Sequence, residues 1–161
     1  MFVSSIKSFT IKRIIMKKNI IFSVCLLALC TMGFAGSPSV NEKVLKSFNE
    51  TFPHAQQVSW QEFSDNYIVN FKEGEVRSRV TYDMDGNFVS ATRYYFEQNL
   101  PINILCKLKN KYSGRKIYGV TEIETETSVE YYIKLEDDNF WTTIKSDSGS
   151  NFEMVEKLRK A

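Results

Sequence analysis

The sequence predicts an α+β domain in which tandem α-β-β-β-β repeats share one antiparallel sheet, with both helices packed on one face. Three observations carry that expectation. A 3.6-residue apolar period occurs twice, each time followed by period-two alternation, and matching residues in the two halves stand 60 to 64 positions apart.

The first periodic segment is "SPSVNEKVLKSFNETFP". Val44, Leu45, Phe48 and Phe52 fall on one helical face, Ser39 or Asn41 can cap the free N–H groups, and Pro53 turns Phe52 away from helical geometry. The Phe-Pro-His turn at Phe52–His54 therefore reads as punctuation between a helix and a strand. Four alternating segments follow: "VSWQEFS", "NYIVNFKE", "EVRSRVTYD" and "NFVSATRYYF". Between them lie turns at Ser64–Asn66, Glu73-Gly74 and Asp85–Asn87, where glycine suits the positive φ of tight hairpins.

"LPINILCKLKNKYSG" restarts the helical period, with Pro101 in the first turn and Ile104, Leu105, Leu108 and Tyr112 as the stripe. These are the residues of the first stripe displaced by 60. The strands "KIYGVTEIE", "VEYYIKLE", "FWTTIKS" and "NFEMVEKL" then repeat the pattern at an offset of 64: Tyr67 with Tyr131, Val69 with Ile133, Phe71 with Leu135 and Val80 with Ile144. The last segment has a frayed helix as its alternative reading. A repeat of this length exceeds solenoid periods, so the two units read as halves of one domain, over about residues 40–99 and 100–161.

The N-terminus reads as a leader. From Met16, "MKKNIIFSVCLLALCTMGFAGS" sets two lysines before a short apolar run and small residues at its exit, the grammar of a secretory signal peptide. The apolar run is shorter than the roughly 20 residues that span a bilayer. Leu29 before Cys30 argues against lipidation. Met16 is the expected true start and residues 1–35 the expected leader, leaving one domain at 36–161 and a periplasmic location. Processing changes the charge. Five of the 21 Lys and Arg residues leave with the leader, so 16 basic residues face 19 acidic ones, a net −3. That balance removes the bulk electrostatic case for nucleic acid or anionic lipid, and no stable membrane insertion is expected after processing. Cys25 and Cys30 also leave, so Cys106 has no partner for an internal disulfide and is expected half-buried on a helix.

Few residues carry a chemical signature. "DMDG" at Asp83–Gly86 opens like a calcium loop, but the twelfth position is Tyr94 and the segment lies between strands, so a hairpin turn is the better reading. Glu122, Glu124 and Glu126 alternate along one strand, as on a solvated rim. The chain has no phosphate-binding Walker loop, no Gly-x-Ser-x-Gly elbow and no Cys-x-x-Cys. Neither catalytic residues, nor a metal, nor a cofactor is expected.

The aromatic content is more informative. On the alternation, Phe48, Trp60, Tyr67, Phe71, Tyr82, Phe88, Tyr131 and Phe140 face the helices. The reverse face is expected to carry Arg79, Arg93, Tyr95, Tyr132 and Trp141, beside Ile68, Arg77, Tyr118 and Lys134. Strands ~4.8 Å apart and ~3.3 Å per residue give eight strands a face of about 760 Å², close to the ~800 Å² per partner of an ordinary protein–protein interface. Tyr, Trp and Arg are the side chains most enriched at binding hot spots.

With these elements in place, the chain resembles the PepSY-like, β-lactamase-inhibitor-like family of secreted bacterial proteins. The resemblance rests on "FNETFPHAQQVSW", "YIVNF", "VTYDMDGNFV" and "LPINILCKLKNKY" in that order, and spans nearly all of the expected mature chain. It implies a periplasmic protein with tandem α/β repeats, an exposed sheet and no catalytic residues. The second half departs from the first at Ser113, Val120 and "SDSG", so a binding surface need not be symmetric. The resulting expectation is an exported, non-enzymatic module that docks another envelope or secreted protein, such as an envelope hydrolase, through its helix-free sheet face. Arg79, Arg93, Tyr95, Tyr132 and Trp141 would form the contact. A periplasmic binder of a sugar or peptide is the alternative, and an undiscovered hydrolase a third.

Overall fold

The computed structural model describes residues 39–161. The leader expected over residues 1–35 lies outside them. Helix α1 (Glu42–Thr51) leads into strands β1 (Gln56–Glu62), β2 (Asn66–Glu73), β3 (Val76–Asp83) and β4 (Phe88–Tyr95). A 3-10 turn (Glu97–Asn99) and helix α2 (Ile102–Lys111) follow. Strands β5 (Lys116–Thr125), β6 (Val129–Glu136), β7 (Phe140–Asp147) and β8 (Phe152–Arg159) complete the chain. The eight strands form one antiparallel sheet in sequence order, so every neighbour is joined by a short connection. The C-terminal segment is a strand, not a frayed helix.

The helix ends follow their local chemistry. The Asn41 side chain accepts from the Lys43 N–H at 2.9 Å, and α1 stops where Pro53 forbids another turn. In α2, Lys109 and Lys111 stand in the last turn, where cations complement the helix dipole. Cys106 lies on α2 but is exposed, not half-buried.

Each helix buries its stripe on its own half of the same sheet face. Val44 and Phe48 of α1 pack on Val69, Phe71, Val80 and Tyr82, with the Phe48 ring edge-on to Trp60 and Phe71 at 5.2 Å. Ile104 and Leu108 of α2 pack on Val120, Ile133, Leu135 and Ile144. There are two apolar clusters here rather than one. A helix is about 10–12 Å across and strands are ~4.8 Å apart, so each helix covers little more than two strands. A seam over β4 and β5 is left between them.

The β3–β4 and β7–β8 turns are built alike, 64 residues apart. Asp83 accepts from the Asn87 N–H at 2.8 Å and from its side-chain amide at 2.8 Å. Asp147 does the same with Asn151, at 2.9 and 2.7 Å. The side-chain bond from Asn87, then that from its backbone, holds the Asp83 carboxyl below the usual carboxylate range; Asn151 does the same for Asp147. A depressed folded pKa means stability present above the unfolded value near ~3.9 and lost as pH falls through the folded value. Asn87→Ala with Asn151→Ala is therefore expected to move the acid-unfolding midpoint to higher pH. An unchanged midpoint by circular dichroism would count against this role for the turns.

Candidate functional site

The helix-free face is organised in cross-strand rows. One row runs Lys72, Arg77, Tyr94, Thr121, Tyr132 and Lys145 across β2 to β7, and a second sets Asn70 beside Arg79 and Thr92. Along the second repeat Trp141 pairs with Glu136, and its indole meets the Tyr118 ring edge-on at 4.8 Å. A depression of about 880 Å³ lies across this face, lined by Lys72, Arg77, Tyr94, Tyr118, Tyr132 and Lys134 among others. A smaller one of about 470 Å³ adjoins it over β2 and β3 and adds Arg79. The larger depression draws on strands from β1 to β7, which requires the sheet to curve inward on this side. Both helices lie on the other side, so the depression has a floor and no roof.

Arg79, Tyr132 and Trp141 lie on this face as the alternation predicts. Arg93 and Tyr95 do not. Arg93 pairs with Ser78 and Glu122, and Tyr95 with Val120, all on the helix side. The reason is a β-bulge. Thr81 pairs with Ser90 and Tyr82 with Phe88, so Val89 is an extra residue in β4. Counting alternation outward from Phe88 then assigns every later residue to the wrong face, because a one-residue slip inverts a strand. Tyr94, 44 % exposed, takes the place assigned to Tyr95, which is 6 % exposed. The alternation points to Tyr95 alone; which of the two adjacent rings faces outward is set by the pairing.

The glutamates follow from a second irregularity, in β5, where Ile117 pairs with Leu135 and Gly119 with Lys134, so Tyr118 is an extra residue and the later positions change face. Glu122 is buried rather than on a solvated rim. Its carboxylate accepts from the Tyr95 hydroxyl and meets the Arg93 guanidinium at 3.2 Å, while Arg93 also pairs with Glu124. This cluster fills the seam between the two apolar cores. Burial first, then the Glu122 carboxylate, pushes the Tyr95 phenol far above its ordinary range, so it stays protonated and donating. No group of three or more His, Cys, Asp or Glu side chains suited to a metal occurs among the described residues.

Charges on the helix-free face are distributed unevenly. In the second repeat three cations are engaged: Lys145 pairs with Glu130 at 2.8 Å, Lys160 with Glu136 at 2.7 Å, and Lys134 lies 5.4 Å from the Trp141 ring centre. In the first repeat Lys72 reaches Glu75 only at 3.9 Å, and Arg77 and Arg79 form no ion pair among the described residues.

With this geometry established, the comparisons with known proteins give the fold a context. A BLIP-like protein from Bacteroides fragilis aligns with a TM-score of 0.54 at 15% identity, over 74% of this chain and 85% of its own. A Bacteroides eggerthii protein, provisionally named as periplasmic, aligns with a TM-score of 0.53 at 14% identity over 74% and 88%. A DUF2874 family protein from Bacteroides ovatus gives 0.53 at 17% identity over 73% and 86%. The fold is BLIP-like. No family model matches the chain, and no curated protein matches it. At these identities the likeness concerns architecture alone. Among the described residues, no helix is long and apolar enough to cross a membrane.

Proposed function

We propose that the chain is an exported, non-enzymatic module that binds another envelope or secreted protein through the helix-free face, as an inhibitor or modulator of an envelope hydrolase. The observation that carries this reading is the curved face itself, where Tyr94, Tyr118, Tyr132 and Trp141 stand uncovered by either helix beside Arg77 and Arg79. Aromatic rings give large contact area at small entropy cost, and arginine supplies planar, charge-assisted contacts. The BLIP-like architecture supports a protein-binding role by analogy of fold. The leader grammar and the periplasmic name of one structural neighbour support export. Membership of a PepSY-like family rests on the sequence motifs.

A sugar or peptide binder is the second reading, favoured by a depression whose volume falls within the ~300–1,000 Å³ of ligand sites. Such sites usually enclose most of their ligand, however, and this one is only partly enclosed. That favours a macromolecular partner. The test is capture from envelope extract by the mature protein. Tyr132→Ala with Trp141→Ala is expected to abolish capture while leaving the melting temperature within about 2 °C, since neither side chain is in the core. Unchanged capture sinks the surface. Stoichiometric binding of a sugar by calorimetry would favour the second reading instead.

A further inference from the structure

We infer that the first repeat's part of this face is a receptor for carboxylates on the partner: an acidic segment whose following apolar side chain lies over the second repeat. This rests on the docking role proposed above and narrows it to a partner chemistry.

Three observations carry the inference. Lys72 and Arg77 are direct cross-strand partners, and Arg79 follows two residues along the same strand and face. Like charges so placed repel at side-chain separations of about 5 Å, an arrangement that costs stability unless an anion relieves it. Second, Lys145 and Lys160 on this face each have a carboxylate partner, while the chain supplies none to the adjacent pair Arg77 and Arg79 among the described residues. Third, the repeat itself is an internal comparison. The residues 64 positions on from Lys72, Arg77 and Arg79 are Glu136, Trp141 and Thr143. The same scaffold therefore presents a cluster of cations in one half and, at the matching positions of the other, a carboxylate, an indole and a hydroxyl.

The two halves share one continuous depression bridged by Tyr94. From β3 to β6 is three strand spacings, about 14 Å, which an extended peptide crosses in about four residues. A guanidinium pair holds carboxylates in bidentate geometry, and the rings of Tyr118, Tyr132 and Trp141 take an apolar side chain. Phosphate would satisfy the guanidinium groups equally. The expected net −3 of the mature chain opposes a long polyanion, so an acidic protein segment is the favoured occupant.

The probe is a capped Gly-Ser peptide carrying two aspartates and, about four residues on, a phenylalanine, read by calorimetry in low salt. It is expected to bind at least about tenfold tighter than its asparagine analogue, to weaken as salt is raised, and to lose about tenfold or more in Arg77→Ala with Arg79→Ala. Both arginines are exposed, and an unchanged thermal melt confirms that the variant is folded. Equal binding of the two peptides, no binding at about 1 mM, indifference to the arginine substitutions, or tighter binding of a single-stranded oligonucleotide would each overturn the inference. If Tyr132→Ala with Trp141→Ala abolishes capture from envelope extract and the arginine variant does not, the carboxylate receptor fails while the docking face stands. If neither variant affects capture, the docking face itself is wrong.

Discussion

Gly86→Ala lowers the unfolding free energy by about 3 kcal/mol, read as a shift of the urea midpoint at constant slope. Two costs combine. Gly86 sits at φ +87°, where an L side chain is strained by roughly 1–2 kcal/mol. An added Cβ would also lie 3.0 Å from both the carbonyl carbon and oxygen of Lys43, and 3.2 Å from the Ser47 hydroxyl, so helix α1 must move. Its repeat counterpart separates the two. Ser150 holds φ +64° with a side chain present, and that hydroxyl accepts from Asn103 at 3.1 Å. The left-handed turn alone is therefore tolerable; the approach of α1 is what demands glycine. As a control, Gly74→Ala meets open space and is expected to cost about 1 kcal/mol from its backbone conformation. Equal losses at the two positions would remove the packing half of the argument.

Arg93→Leu is expected to cost about 2 kcal/mol, whereas Arg79→Leu changes stability by no more than about 0.5 kcal/mol. Arg93 is the cation facing Glu122 and Glu124 in the seam between the two cores. Removing it leaves Glu122 buried beside Glu124 without a counter-charge. Breaking a fully buried pair costs roughly 3–5 kcal/mol, and the figure is reduced here because the arginine side chain is 37% exposed. Glu122→Gln in the Arg93→Leu background should recover part of the loss, since it removes the stranded charge while keeping a hydrogen-bond acceptor for Tyr95. Arg79 lies on the opposite face without an ion pair among the described residues, so its deletion should be felt in partner binding. Reversed outcomes for the two arginines would mean that the faces have been exchanged.

The contrast between these arginines marks how far linear pattern carries. Helix and strand existence, the return of the helical stripe after 60 residues and of the strands after 64, and the hairpin turn at Asp83 are local properties. Periodicity, capping and turn residues act within a few positions of one another, and each was legible in the chain. Arg79, Tyr132 and Trp141 could be placed because no bulge intervenes between them and a buried neighbour on their own strands.

Arg93, Tyr95 and Glu122 could not. An extra residue is absorbed at Val89 in β4 and another at Tyr118 in β5, and each strand inverts from that point. Nothing in "NFVSATRYYF" marks the bulge, because a bulge is a property of two paired strands rather than of one. Likewise, Glu122 resembles any surface carboxylate until β4 brings Arg93 and Tyr95 against it. Which cations stay unpaired depends equally on neighbours distant in the chain: Lys145 is neutralised from β6 and Lys160 from the end of that strand. Alternation along a strand sets a period, whereas facing, burial and charge compensation are relations between strands and take their values once the sheet has assembled.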